Sequence, residues 1–106
     1  LKKGIAALST ASDWVIANYS DNAPSVHAGS VPFLHLTGIV VGGWLMAKSA
    51  GIAAAKLAEG SSDDFYRAKL VTAAYFAAHR LPFAAAYAEE VMGGAASTFD
   101  LPESLF

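Results

Sequence analysis

Apolar residues recur at helical spacing in three stretches of the chain, separated by turn-forming residues. In the first, Leu1, Ile5, Leu8, Ala11 and Val15 share one face while Lys2, Lys3, Ser9 and Asp13 take the other. That pattern predicts one amphipathic helix over about residues 1–19. Asp21 and Asn22 favour a turn and Pro24 disfavours helix at Ala23, so Ser20 to Pro24 should end the helix and a linker should run through Gly29.

The second stretch, from Val31 to about Leu57, is the most apolar, and no Asp, Glu, Lys or Arg lies between Asp21 and Lys48. Such a pattern predicts a central helix surrounded by neighbours. Gly38, Gly42, Gly43 and Gly51 lie within it, each costing about 1 kcal/mol of helix propensity relative to Ala. A neighbouring helix is expected to approach closely there. Glu59-Gly60-Ser61-Ser62-Asp63-Asp64 then reads as a stop followed by a start: Gly60 suits a left-handed C-terminal residue, Ser61 or Ser62 can cap the next helix, and Asp63 and Asp64 face its dipole. A loop this short sets the flanking helices antiparallel.

The third stretch carries a narrow seam of Leu70, Ala73, Ala74, Ala77, Leu81, Ala84, Ala88 and Val91 that ends at Gly93-Gly94. Pro82 lies inside it and should bend the rod near Ala78. The tail from Ser97 is broken by Pro102, but Phe99, Leu101, Leu105 and Phe106 give it reason to fold back in part. These elements predict an all-α fold in a single domain over residues 1–106: an up-down-up bundle of three long helices with a packed C-terminal tail.

Composition adds one constraint. Hydrophobic residues make up 55% of the chain and charged residues 15%, against about 25% charged in an average domain. There is more apolar surface than a small monomer hides, so part of it should face a partner or another domain. The net charge is −2 and the seven basic residues are scattered, which excludes nucleic acid as the main partner. Without cysteine there is no disulfide framework, thiol nucleophile or zinc-thiolate site, in keeping with a cytoplasmic protein. Ser9, Thr10, Ser12 and Asp13 interrupt any signal-peptide core, and the uncapped start at Leu1 looks cut from a longer polypeptide. Pro24, His27, Ser30, Pro32, His35 and Thr37 shorten the purely apolar run to Leu36–Ala47, about 18 Å of helix, so no membrane span is expected.

Candidate chemistry is sparse. His27, His35 and His79 lack the i, i+4 spacing of a helical metal pair and have no carboxylate at i+3 or i+4, so no metal site is expected. His35 reads as a hydrogen-bonded residue on a buried helix. Glu89 and Glu90 point about 100° apart on a helix and cannot work as a pair on one substrate. Ser9, Ser12, Ser61 and Ser62 read as helix-surface or capping groups, and Gly42-Gly43 lies inside a helix rather than in a phosphate-binding turn. Trp14, Trp44, Tyr66, Tyr75, Phe76, Phe83 and Tyr87 could form a stacking platform, but aromatics at helical spacing read as core. No catalytic, cofactor-binding or metal-binding residue is assigned.

Two segments together carry a family resemblance: Ala28 to Ala47, with the run Pro32-Phe33-Leu34-His35-Leu36-Thr37-Gly38, and Phe65 to Pro82. They resemble the C-terminal extension of a subgroup of acyl-CoA dehydrogenases, the one that includes the 3-methylmercaptopropionyl-CoA dehydrogenase type. The leading helix and the apolar tail fit the same extension. His35 and Ala74 depart from that family's pattern, which often has Arg at both positions, and this puts charge-mediated contacts through them in doubt. The resemblance implies a parent flavoenzyme of fatty acid metabolism that removes hydrogens from the α and β carbons of an acyl-CoA thioester. A glutamate base would take the α proton and FAD would accept hydride. In that family the base and most FAD contacts lie upstream, so the implied role of this segment is that of a non-catalytic accessory domain, itself inactive and without FAD, which covers the catalytic domain and helps fix a homo-oligomer. The alternative is a free-standing helical module that binds a partner protein through its apolar surface.

Overall fold

The computed structural model describes residues 1–106 as six α-helices and no strand. They are α1 (Lys2–Asn18), α2 (Ala23–Ala28), α3 (Ser30–Ala58), α4 (Asp64–His79), α5 (Phe83–Val91) and α6 (Ala96–Phe99), followed by a 3-10 turn at Glu103–Leu105. The fold is all-α as expected, with α1, α3 and the consecutive pair α4 and α5 running up, down and up.

Gly60, at φ +94°, closes α3. Its N–H donates to the Leu57 carbonyl and that of Ser61 to the Lys56 carbonyl, the paired bonds that finish a helix on a left-handed residue. Asp63 then caps α4, its carboxylate accepting from the Phe65 N–H at 2.9 Å. The cap is therefore Asp63 and not Ser61 or Ser62; Ser61 Oγ instead accepts from the Asp63 N–H. A carboxylate at this position satisfies an orphan donor and opposes the helix dipole as well.

From that turn the chain zips back along α3. Phe76 lies over Gly42, Leu81 over Gly43, Tyr87 on His35 and Val91 against Gly29, each pair nearly equidistant in sequence from Gly60. Pro82 does more than bend this return path. The helix stops at His79 and restarts at Phe83, because proline offers no N–H and its ring collides with the carbonyl four residues back. The Leu81 and Phe83 N–H groups turn to Phe76 and Arg80 carbonyls.

The stretch expected as linker is largely helix. Pro24 lies in the first turn of α2, where its missing N–H has no partner to lose, and Ser25 and Val26 are buried behind it. The core forms where α1, α3 and α5 meet: Ala11 from α1, Leu36, Ile39 and Val40 from α3, Ala84, Ala88 and Val91 from α5. Gly4 rather than Ile5 faces inward on α1. Its backbone approaches Val40 and Ala84 closely, while Ile5 is turned to solvent.

The molecule measures 67 × 29 × 14 Å with a radius of gyration of 18.8 Å, against about 13 Å for a compact chain of this length. The cause is α3, whose 29 residues extend about 43 Å. The first half of α3 is covered by α1 and α5; its second half pairs with α4 alone and projects as a two-helix arm. Between residues 44 and 83 only Ala53 is buried.

Two of the four central glycines do not meet a neighbour. A Cβ at Gly42 would stand 3.1 Å from Phe76 and one at Gly43 2.6 Å from Leu81, as a close crossing requires, but Gly38 and Gly51 look onto open space. The tail holds on through Ala95, which is buried and donates its N–H to Ser25 Oγ at 3.1 Å. Phe99, Leu101, Leu105 and Phe106 stay exposed. By length and composition α3 could also cross a membrane; here it is the strut against which α1, α2, α4 and α5 all lie.

Candidate functional site

The groups that catalysis would need stay apart. His27 lies on α2, His35 on α3 and His79 at the end of α4, and all three are exposed. His35 is stacked on Tyr87 with ring centres 5.4 Å apart, rather than buried and hydrogen-bonded. His79 leans on Tyr75 at 4.6 Å. No three His, Cys, Asp or Glu side chains converge, and Glu89 and Glu90 both face solvent.

The hydroxyls are occupied by local structure. Thr10 and Ser12 donate to the carbonyls of Ala6 and Leu8 one turn earlier, and Thr37 and Thr72 do the same with Phe33 and Ala68. Ser25 is the one buried polar side chain, and sequence reasoning passed over it. No local signal could have found it, since its partner Ala95 lies 70 residues away.

The aromatic rings do not assemble a platform. None is among the buried residues, and Trp44, Phe65, Tyr75 and Phe83 point outward from three different helices. Only Trp14, Phe33 and Tyr87 rest against the core. Three of the outward rings carry a cation of their own helix or the turn before it: Lys48 over Trp44, Lys69 over Phe65 and Arg80 over Phe83, each between 5 and 6 Å from the ring centre.

The largest cleft, of about 630 Å³, lies between the start of α1 and the turn before α5, walled by Lys2, Lys3, Gly4, Leu81, Pro82 and Ala85 among others. Its two ammonium groups could meet an anion, but its wall holds no aromatic ring and no carboxylate. The residues present therefore do not fit a flavin, which needs a surface to stack its ring as well as donors for its phosphates.

What the fold does build is an outward apolar surface. Eighteen large hydrophobic side chains are exposed, far more than isolated surface residues of a monomer require. Five of them, Val31, Leu34, Val41, Leu45 and Ile52, run down one side of α3, between 45% and 69% exposed. The sequence pattern places this helix at the centre of a bundle, whereas one whole side of it is bare.

A family model described as acetyl-CoA dehydrogenase C-terminal like matches residues 1–102. The chain is 40% identical over 77 residues, 73% of its length, to the 3-methylmercaptopropionyl-CoA dehydrogenase of Ruegeria pomeroyi. It is also 40% identical over 60 residues, 54% of its length, to the broad-specificity linear acyl-CoA dehydrogenase FadE5 of Mycobacterium tuberculosis. It spans only 13% and 10% of those two relatives. Matched by that family model over residues 1–102 and 40% identical to one relative over 73% of its own length, the chain belongs to the acetyl-CoA dehydrogenase C-terminal-like domains of the acyl-CoA dehydrogenases.

Proposed function

We propose that this domain is a non-catalytic accessory part of a cytoplasmic, FAD-dependent acyl-CoA dehydrogenase, which covers the catalytic domain and helps hold the enzyme's oligomer together. The observation that carries the reading is the exposed apolar surface, eighteen large side chains on 106 residues with nothing in this chain to cover them. Burying such a surface is worth about 25 cal/mol per Å², so its contribution lies in docking and not in a chemical step. The parent would carry out α,β-dehydrogenation of an acyl-CoA thioester with base and flavin contacts supplied upstream. In this reading the apolar side of α3 docks against protein rather than lipid.

Two measurements test the proposal. The purified 106-residue chain should neither retain FAD in a flavin fluorescence titration nor reduce an electron acceptor with any of a panel of acyl-CoA thioesters. The full-length parent should do both, and should lose melting temperature or assembly when this segment is deleted. Stoichiometric flavin binding by the segment, or a deletion variant of unchanged mass, stability and activity, would overturn the reading.

A further inference from the structure

One face of α3 bears an uninterrupted 3,4 repeat: Val31, Leu34, Gly38, Val41, Leu45, Lys48, Ile52 and Ala55, all exposed. The spacing is that of a coiled-coil seam, so the surface that fits it is another helix whose side chains enter the gaps. Ala55 at its end is small, and two interior positions of the seam lack a large apolar group. Gly38 leaves open space above it, and Lys48 carries the only charge of the seam, its ammonium group held over the Trp44 ring.

Turning the seam end for end superimposes it on itself in a way that joins these two gaps. Val41 falls opposite Leu45, Leu34 opposite Ile52, Val31 opposite Ala55, and Gly38 opposite Lys48. The spacing alone would allow the reversal for any heptad; the pairing of the residues is what selects it. Each lysine stem then lies across the other chain's glycine, covering backbone that nothing in this chain covers. The two lysines sit about 15 Å apart along the axis, beyond the screening length of about 8 Å at physiological salt. A parallel pairing would set Lys48 directly against Lys48 and Gly38 against Gly38, a repulsion and a hole.

We propose that α3 packs antiparallel against α3 of a second copy of the chain, about a two-fold axis that passes between Val41 and Leu45. The inference rests on the oligomer-building part of the proposed function and names its contact. The seam is about 36 Å long and roughly 10 Å wide, short of the roughly 800 Å² per partner of a standard stable interface. The pairing therefore works as one element of the parent's oligomer, and the parent is where it is tested.

Leu34→Cys and Ile52→Cys together in the full-length parent provide the probe. On one helix the two positions lie about 27 Å apart, far beyond the 4.4–6.8 Å a disulfide spans between Cα atoms, so a 34–52 bond can form only between chains. Mild oxidation should give a species of twice the chain mass whose digest contains a peptide joining residue 34 to residue 52. Bonds of 34 to 34 and 52 to 52 would overturn the antiparallel register. Thiols that resist both oxidation and alkylation would mean that the parent's own catalytic domain covers α3, and thiols alkylated freely would mean that nothing does; either overturns the pairing.

Val41→Glu with Leu45→Glu is the second variant, chosen because both side chains are half exposed and outside the core. Because the seam is one element of the oligomer, the variant should lower the parent's sedimenting mass on dilution, at concentrations where the unaltered parent stays assembled, with unchanged helical circular dichroism. If the mass holds while deletion of the whole segment still dissociates the enzyme, the pairing falls and the oligomer-stabilising reading stands. If the deletion also leaves the mass unchanged, both fall.

Discussion

The end of the molecule where α1, α3 and α5 meet holds nearly all of its buried side chains, whereas the arm made of the second half of α3 and α4 holds Ala53 alone. Both are built from antiparallel helices, and the same helix runs through each. What separates them is a third neighbour. With two helices each rod keeps most of its circumference in contact with solvent, and α4 has no buried residue at all. The arm is kept helical by local devices: the left-handed Gly60, the Asp63 cap and a run of alanines that suits helix intrinsically. One end of the domain is thus made stable by its interior, and the other is kept in shape for something outside.

The sharpest way to break this contrast is to remove a large side chain from each region. Leu36 is wholly buried, and Leu36→Ala should cost about 2–5 kcal/mol. Ile52→Ala in the arm, where Ile52 is 56% exposed, should cost within about 0.5 kcal/mol. Equal shifts in urea midpoint for the two variants of the 106-residue chain would erase the distinction.

Gly29→Ala comes next, for a Cβ there would stand 2.7 Å from the Val91 carbonyl oxygen. Backbone cannot swing aside as a side-chain tip can, so a loss of roughly 1–3 kcal/mol is expected. The cost should appear in thermal unfolding as a lowered melting temperature of the three-helix end. Ser25→Ala probes the same end through hydrogen bonding. It leaves the buried Ala95 N–H without its acceptor, at about 1–3 kcal/mol, and amide exchange at Ala95 should accelerate before any change is seen in α4.

In the arm the expected effects are smaller and fall on local opening. Asp63→Ala removes the carboxylate that accepts from the Phe65 N–H, at a cost of about 1 kcal/mol. Amides of the first turn of α4 should then exchange faster while those around Leu36 hold their protection. An effect of opposite sign is expected at Gly38, in the first half of α3. In the dilute monomer Gly38→Ala should stabilise by about 0.5–1 kcal/mol, because the position is helical and open. Gly42→Ala should not, since its methyl meets the Phe76 ring at 3.1 Å. Circular dichroism melts of the two variants side by side test this difference in sign.

The two regions also differ in how far the sequence discloses them. Helix periodicity locates α1, α3 and the return path, and Gly60 with its acidic neighbours locates the turn, because those signals are local. The same reasoning turns Ile5 inward, surrounds α3 with neighbours and has Gly38 and Gly51 meeting a partner helix, and in each case the outcome depends on which face another element happens to cover. An apolar run looks alike whether its cover is in the chain or outside it. Pro24 misleads for a different reason: the residue that ends one helix is also suited to the first turn of the next, and burial of Ser25 and Val26 behind it decides which reading applies. The candidate site, an uncovered seam, was therefore legible only as an excess of apolar residues without a location.

The Ser25 to Ala95 hydrogen bond spans 70 residues, and that separation bears on the order in which the molecule forms. The α3–α4 hairpin can zip outward from Gly60 through contacts close in sequence, whereas the bond that ties α2 to the tail has to close almost the whole chain first. Each doubling of a loop adds about 0.6 kcal/mol of closure entropy, and distant contacts slow folding. The arm, with the thinner interior, is thus expected to form early and the well-buried end to be completed late. Ser25→Ala should accordingly speed unfolding and leave the folding rate nearly unchanged, which stopped-flow measurement of both limbs can read directly.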